Sequence, residues 1–312
     1  MDKGFEQFVY EVKENMKRYL PEDMQEADVS LHTFRSNNGM EKTALAVLKP
    51  GRITAPNIYL DHFYNLYRDG ADMDRIMEKI AEMRMENELD SDPDTAFITD
   101  FEQCRDKVMP CLVGVEGNDG MLEDRPHVTI EDLAVVFCID LGDTKLGNAS
   151  IPVQNHMLQL WGVDADELYS IAVRNLEAAD MGVFCSLNKL MADMMKDSGG
   201  ENPEMEELLP ENDFMYVLTN KANVRGAAMV LDHKIMERIV EKIGEPIILP
   251  SSIHEVIVLP DTQKSDNEKW KHLTKAALEE MVQEVNETQV SLEDRLSNSI
   301  YRYTLKNGIV RL

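Results

Sequence analysis

The chain has 312 residues, 43% of them hydrophobic, long enough for one large domain or two smaller ones and apolar enough for a true core. Its 58 acidic side chains against 32 Lys and Arg leave a formal charge of -26, which argues against nucleic acid or anionic membranes as direct partners, because binding phosphate depends on basic side chains displacing counterions. Four cysteines, Cys104, Cys111, Cys138 and Cys185, form no C-x-x-C pair, which excludes the zinc-ribbon and thioredoxin-type signatures and leaves reduced thiols in a cytoplasmic protein as the expectation.

From the N-terminus, Phe5, Phe8, Val9, Val12, Met16 and Leu20 share one face of a helix that Pro21 ends. The opening residues Met-Asp-Lys-Gly-Phe-Glu do not read as an apolar signal segment, and no apolar run approaches the ~20 residues of a bilayer span. Asp28 to Phe34 and Thr43 to Leu48 alternate as strands joined across Asn37-Asn38-Gly39, a turn that needs positive φ. Asn57 is placed to cap a helix running to Gly70, with Tyr59, Phe63 and Tyr67 as an aromatic stripe at four-residue spacing, read as core. Met73 to Met85 follows as a second helix, and an acidic connection after it.

Thr99-Asp-Phe-Glu102 has the capping-box pattern. Cys111 to Val115 and Leu133 to Leu141 read as strands, and Ile151 to Leu160 as a helix. Asp164-Ala-Asp-Glu167 is a second capping box, opening a helix that reaches Glu177. Lys196 to Asp213, with Gly199-Gly200, Pro203, Pro210 and several acids, reads as a linker or long loop.

The next stretch is the best defined. Phe214 to Thr219 is an apolar run. Leu231, Ile235, Met236, Ile239, Val240 and Ile243 then line one face of a helix that stops at Gly244 and Pro246. Pro246 to Pro250 and His254 to Leu259 are rich in Ile and Val on both faces, as in strands buried on both sides. Ser265-Asp-Asn-Glu268 is a third capping box whose helix reaches Val285, and a hairpin across Asn307-Gly308 closes the chain. Helices and hairpins mix without sustained β-α alternation, so the expected class is α+β, with a C-terminal strand-helix-strand-strand-helix core unit. The expected division is an N-terminal α+β region over 1–195, the acidic segment over 196–213 and a C-terminal α+β region over 214–312.

Val135-Val-Phe-Cys-Ile-Asp-Leu-Gly142, then Trp161-Gly-Val-Asp-Ala-Asp-Glu-Leu168 through Asn175-Leu176, then the unit from Arg225 to Asp261 occur in an order that resembles the YtpQ-like group of uncharacterised bacterial proteins. Pro56-Asn-Ile-Tyr59 fits it too. The likeness spans roughly residues 5 to 285, departs from the group around Gly117 to His127 and Lys196 to Asp213, and implies a fold without implying an activity.

Chemical motifs are sparse. Asp90-Ser-Asp-Pro-Asp94 spaces its aspartates as a calcium loop does, but Thr95 and Phe101 occupy the glycine and bidentate glutamate positions. Asp61-His62 and Asp232-His233 are neighbours on helices and point about 100 degrees apart, so neither pair chelates a metal alone. Ser251-Ser252-x-His254 lacks a nucleophile elbow and reads as turn serines. Cys138, in its hydrophobic run, reads as a small core side chain. Neither phosphate-cradling glycine pattern occurs, and no cofactor or metal is expected. The 20 methionines, several flanking the acidic segment (Met191, Met194, Met195, Met205, Met215), suit an adaptable protein-binding surface. The leading expectation is a non-enzymatic interaction or regulatory protein with a protein partner. The alternatives are an enzyme whose dispersed site gathers His62, Asp140, His233 and His254, and an acidic mimic of nucleic acid.

Overall fold

A computed structural model describes residues 3–52, 54–88, 96–144, 147–190, 214–250, 252–261 and 273–312. The acidic segment 196–213, the Asp90–Asp94 aspartates, the Ser265–Glu268 capping box, Ser251 and four of the five flanking methionines lie outside the described residues. The class is α+β: among the described residues, helices accompany three antiparallel sheets. The chain divides into two compact units. One comprises Met1–Ser36, Met40–Phe97 and Asp143–Gly147, the other Asn37–Gly39, Ile98–Gly142 and Asn148–Leu312.

In the first unit, α1 (Lys3–Asn15) buries Phe8, Val9 and Val12, the face its periodicity marks. Strands β1 (Asp28–Arg35) and β2 (Glu41–Leu48) form the expected hairpin, with Asn38 and Gly39 both at positive φ. The stretch read as a helix from Asn57 begins instead as a strand, β3 (Asn57–Tyr59), which pairs with Ala44–Ala46. The helix α2 starts only at Asp61 and runs to Arg68. The aromatic stripe therefore dissolves: Phe63 is buried, whereas Tyr59 and Tyr67 are exposed. A three-residue strand carries too little pattern to be distinguished from the first turn of the helix after it. Helix α3 (Met73–Glu86) buries Ile76, Met77 and Ile80 in the same core as Phe8, Leu45 and Val47.

The second unit contains two sheets. In the first, β4 (Val108–Gly114) and β5 (His127–Ile130) flank β6 (Leu133–Thr144), and β7 (Gly147–Pro152) also pairs with β6. The helix expected over Ile151–Leu160 is thus a strand followed by a shorter helix, α4 (Asn155–Trp161). Helix α5 (Ala165–Ala179) begins at the expected cap, where the Asp164 carboxylate accepts from the Glu167 N–H at 2.8 Å. Its Asn175 amide donates to the Arg105 and Val108 carbonyls, which fixes the helix to the start of β4. The cap expected at Thr99 falls one residue later, on Asp100, whose carboxylate accepts from the Glu102 N–H.

The second sheet has the strand order β13-β12-β10-β11-β9-β8, all antiparallel. It is built from β8 (Gly182–Ser186), β9 (Tyr216–Asn220), β10 (Ile247–Leu249), β11 (Val256–Leu259), β12 (Tyr301–Thr304) and β13 (Gly308–Arg311). The best-defined stretch of the sequence thus supplies three of the four interior strands, β9, β10 and β11. Between β9 and β10 the chain makes a 3-10 turn over Gly226–Leu231, then α6 (His233–Ile243). That helix is shorter than the apolar periodicity suggests, because buried Asp232 caps it by accepting from the Lys234 and Ile235 N–H groups. Helix α7 (Lys275–Thr288) buries Leu278 and Val282 against Ile247, Leu249 and Ile300.

Candidate functional site

Strands β4 and β6 pair so that Met109 faces Cys138 and Cys111 faces Val136. With a side-chain period of two, Met109, Cys111 and Val113 share a face with Val136 and Cys138, so the two cysteines are diagonal neighbours on one side of the sheet. Their sulfurs lie 3.4 Å apart. Cys138 is the small core side chain its hydrophobic run predicts, buried with Val113, Ala134 and Val136; it also lies against a second thiol and lines a cavity.

That cavity, of about 110 Å³, is lined by both cysteines, Asp140, Ser150, Asn220 and Arg225, with Met109, Met181 and Met229 among its apolar neighbours. The Arg225 guanidinium donates to the Ser150 hydroxyl at 2.9 Å and lies 3.8 Å from the Cys111 sulfur. Part of Arg225 remains in solvent, so the cavity opens beside it.

The electrostatics separate the two thiols. An S–H···S bond from Cys138 lowers the Cys111 pKa to about 7; burial opposes the shift, and the positive charges of Arg225 and Arg125 reinforce it. Cys138 is driven upward by the same bond, by burial and by the neighbouring thiolate. One sulfur thus becomes the anion and the other its proton donor. Cys104 makes the contrast: burial pushes its thiol up.

Arg225 is held in place from behind. Its backbone is left-handed, φ 53 and ψ 28, a conformation that a side chain with a Cβ seldom adopts. Its N–H donates to His254 Nδ1 at 3.2 Å, and His254 Nε2 lies 3.1 Å from an Asp294 carboxylate oxygen. Gly226 follows, and a Cβ there would collide with the Thr219 hydroxyl and the His254 carbonyl, and lie 2.7 Å from the Asn220 nitrogen. Only glycine fits.

The residues singled out from the sequence distribute unevenly around this site. Asp140 lines the cavity, its carboxylate accepting from the Gly142 N–H at 2.8 Å. His254 touches the site through the Arg225 backbone. His233 stands at the start of α6 with its Nδ1 3.3 Å from the Tyr303 hydroxyl, and His62 belongs to the first unit, beside Phe63. Ser252 is a turn serine, accepting from the His254 and Glu255 N–H groups. Sequence reasoning missed Cys111 and Arg225 as site residues. The signal for the first lies in the register that aligns β4 with β6; for Arg225 there is none short of the turn's geometry.

Among the described residues no cluster of three or more His, Cys, Asp or Glu is arranged to hold a metal ion, and no helix is long and apolar enough to cross a membrane. A larger cavity in the same unit, about 420 Å³, is lined by Asp132, Asn286, Ser297, Ser299 and Arg311. Its Asp132 carboxylate already accepts from Ser297, Ser299 and Tyr301, which marks it as a structural tie.

The chain belongs to a family of unknown function, DUF5688, whose model matches residues 5–304. No curated protein and no solved structure matches it.

Proposed function

We propose that this is a regulatory protein whose state is set by oxidation of the Cys111–Cys138 pair. The observation that carries the reading is the pair itself: two free thiols in contact on one face of a sheet, at the wall of an open cavity, with a guanidinium against one of them. A thiolate is the nucleophile of thiol chemistry, and a neighbouring cation stabilises it.

A small hydroperoxide is the matching oxidant, because the cavity admits little else. The Cys111 thiolate attacks its terminal oxygen; an S–O bond forms, the O–O bond breaks, and the alkoxide or hydroxide leaves and takes up a proton. The Cys138 sulfur then attacks the Cys111 sulfenic acid. An S–S bond forms, the S–O bond breaks, and hydroxide leaves as water with the Cys138 proton. Two thiols and one peroxide yield one disulfide, one water and one alcohol or second water. Reduction by a cellular dithiol restores the pair.

The strand geometry supports a regulatory role over bulk peroxide removal. Diagonal neighbours across an antiparallel pair lie ~7–8 Å apart, beyond the usual span of ~4.4–6.8 Å between Cα atoms in a disulfide. Closure therefore draws β4 and β6 together and moves Met109 and Asp140 with them, a change that a protein partner can read. The reading carries with it a reducing compartment, the cytoplasm, since an oxidising one would hold the pair closed. The finer kinship with YtpQ-like bacterial proteins rests on motif order and belongs to the same proposal.

The test is peptide mapping by mass spectrometry after one equivalent of hydrogen peroxide on the full-length protein. The expected product is a Cys111–Cys138 disulfide that dithiothreitol reverses, with Cys104 and Cys185 unchanged. Uniform slow oxidation of all four cysteines would overturn the reading.

A further inference from the structure

We infer that Asp294 and His254 are positioning residues for the dithiol, acting by holding the Arg225 guanidinium at the Cys111 sulfur. This rests on the proposed dithiol function and adds how the site is controlled: from the 3-10 turn Leu292–Asp294, outside the strands that carry the cysteines.

The argument follows the hydrogen bonds. Arg225 N–H is a donor, so His254 Nδ1 must present a lone pair to it; the ring hydrogen then sits on Nε2 and is donated to the Asp294 carboxylate. The Asp294 carboxylate thus selects the tautomer that binds the Arg225 backbone. Both partners are themselves fixed. Asp294 receives a second hydrogen bond from the Ser291 hydroxyl at 2.7 Å, and its carbonyl accepts from the Ile253 N–H at 2.8 Å. The His254 carbonyl accepts from the Thr219 hydroxyl at 2.8 Å.

What the ring holds is a left-handed residue that relaxes to negative φ when released. The Cα–Cβ direction of residue 225 changes with that rotation, so relaxation takes the guanidinium away from Ser150 and Cys111. Loss of the ring's acceptor therefore acts on a sulfur that the ring does not touch.

The experiment measures site-resolved alkylation of Cys111 by iodoacetamide as a function of pH, on full-length protein, in wild type, D294A, D294N, H254F and R225Q, with folding checked by near-ultraviolet circular dichroism. D294A and H254F are expected to move the Cys111 midpoint up toward the ordinary cysteine value of about 8.5. D294N keeps an oxygen that accepts from Nε2–H and is expected to stay close to wild type. Combining D294A with R225Q is expected to shift the profile no further than R225Q alone, because the two act through one guanidinium. If either D294A or H254F folds and keeps the wild-type profile, or if D294A adds its shift to that of R225Q, the inference fails while the dithiol reading stands. If wild-type Cys111 itself titrates like an ordinary cysteine, the dithiol reading fails first.

Discussion

At Cys111 a donated S–H bond and two guanidinium charges outweigh burial, whereas at Cys104 burial dominates and the thiol stays protonated. The balance makes each contribution separable by substitution. C138A removes the S–H donor and R225Q the guanidinium charge, and each is expected to raise the Cys111 midpoint. Alkylation rates at neutral pH should fall several-fold in both variants, which stopped-assay mass spectrometry would detect. A second residue-scale case is Asp132. Burial raises its carboxyl pKa, but the hydrogen bonds from Ser299, Tyr301 and Ser297 together outweigh burial and leave it below the ordinary value. Because the folded value is lowered, its stabilisation is complete above the ordinary carboxylate range and lost as pH falls through the folded value. D132N is expected to cost about 1–3 kcal/mol in urea unfolding at neutral pH, with the deficit narrowing in acid. An unchanged deficit at low pH would contradict the assignment.

At the scale of elements, the turn from Lys221 to Gly226 links β9 to the dithiol. G226A forces a Cβ toward the Asn220 nitrogen and the His254 carbonyl, neither of which is a flexible side-chain end. It is expected to destabilise the protein by about 1–3 kcal/mol, the usual range for overpacking, and to raise the Cys111 midpoint by displacing Arg225. The same scale shows what was legible in the sequence. Strands β9, β10 and β11 and helix α6 were readable because period and turn residues agree there: the amphipathic face of α6, Gly244 at φ 78, and Pro246. The strand β3 and the strand-to-helix switch at Pro152 were misread because three to six residues hold no decisive period and the pairing partner decides. The dithiol was illegible for a related reason. Cys111 and Cys138 are 27 positions apart, and only the register of β4 on β6 brings them together. Of the four candidate residues, Asp140 lines the cavity and His254 accepts from the Arg225 backbone N–H.

For the whole molecule, a formal charge of -26 means that the folded state works against its own repulsion. Adding salt from low ionic strength to about 0.15 M, where the screening length is ~8 Å, is expected to raise the melting temperature; a fall would indicate that specific ion pairs outweigh the net repulsion. The same negative field disfavours anionic oxidants at a distance and leaves neutral hydroperoxides unhindered, which is consistent with the small-peroxide reading. The local field at Cys111 is the reverse, positive from Arg225 and Arg125, and it is this local inversion within an acidic protein on which the functional account depends. The most direct measurement is therefore the pH titration of each cysteine in the reduced wild-type protein, by isotope-coded alkylation resolved by peptide. The account requires a Cys111 midpoint near 7, with Cys104 and Cys138 protonated throughout the neutral range. A Cys111 that titrates together with Cys104, at or above the ordinary cysteine value, would contradict it.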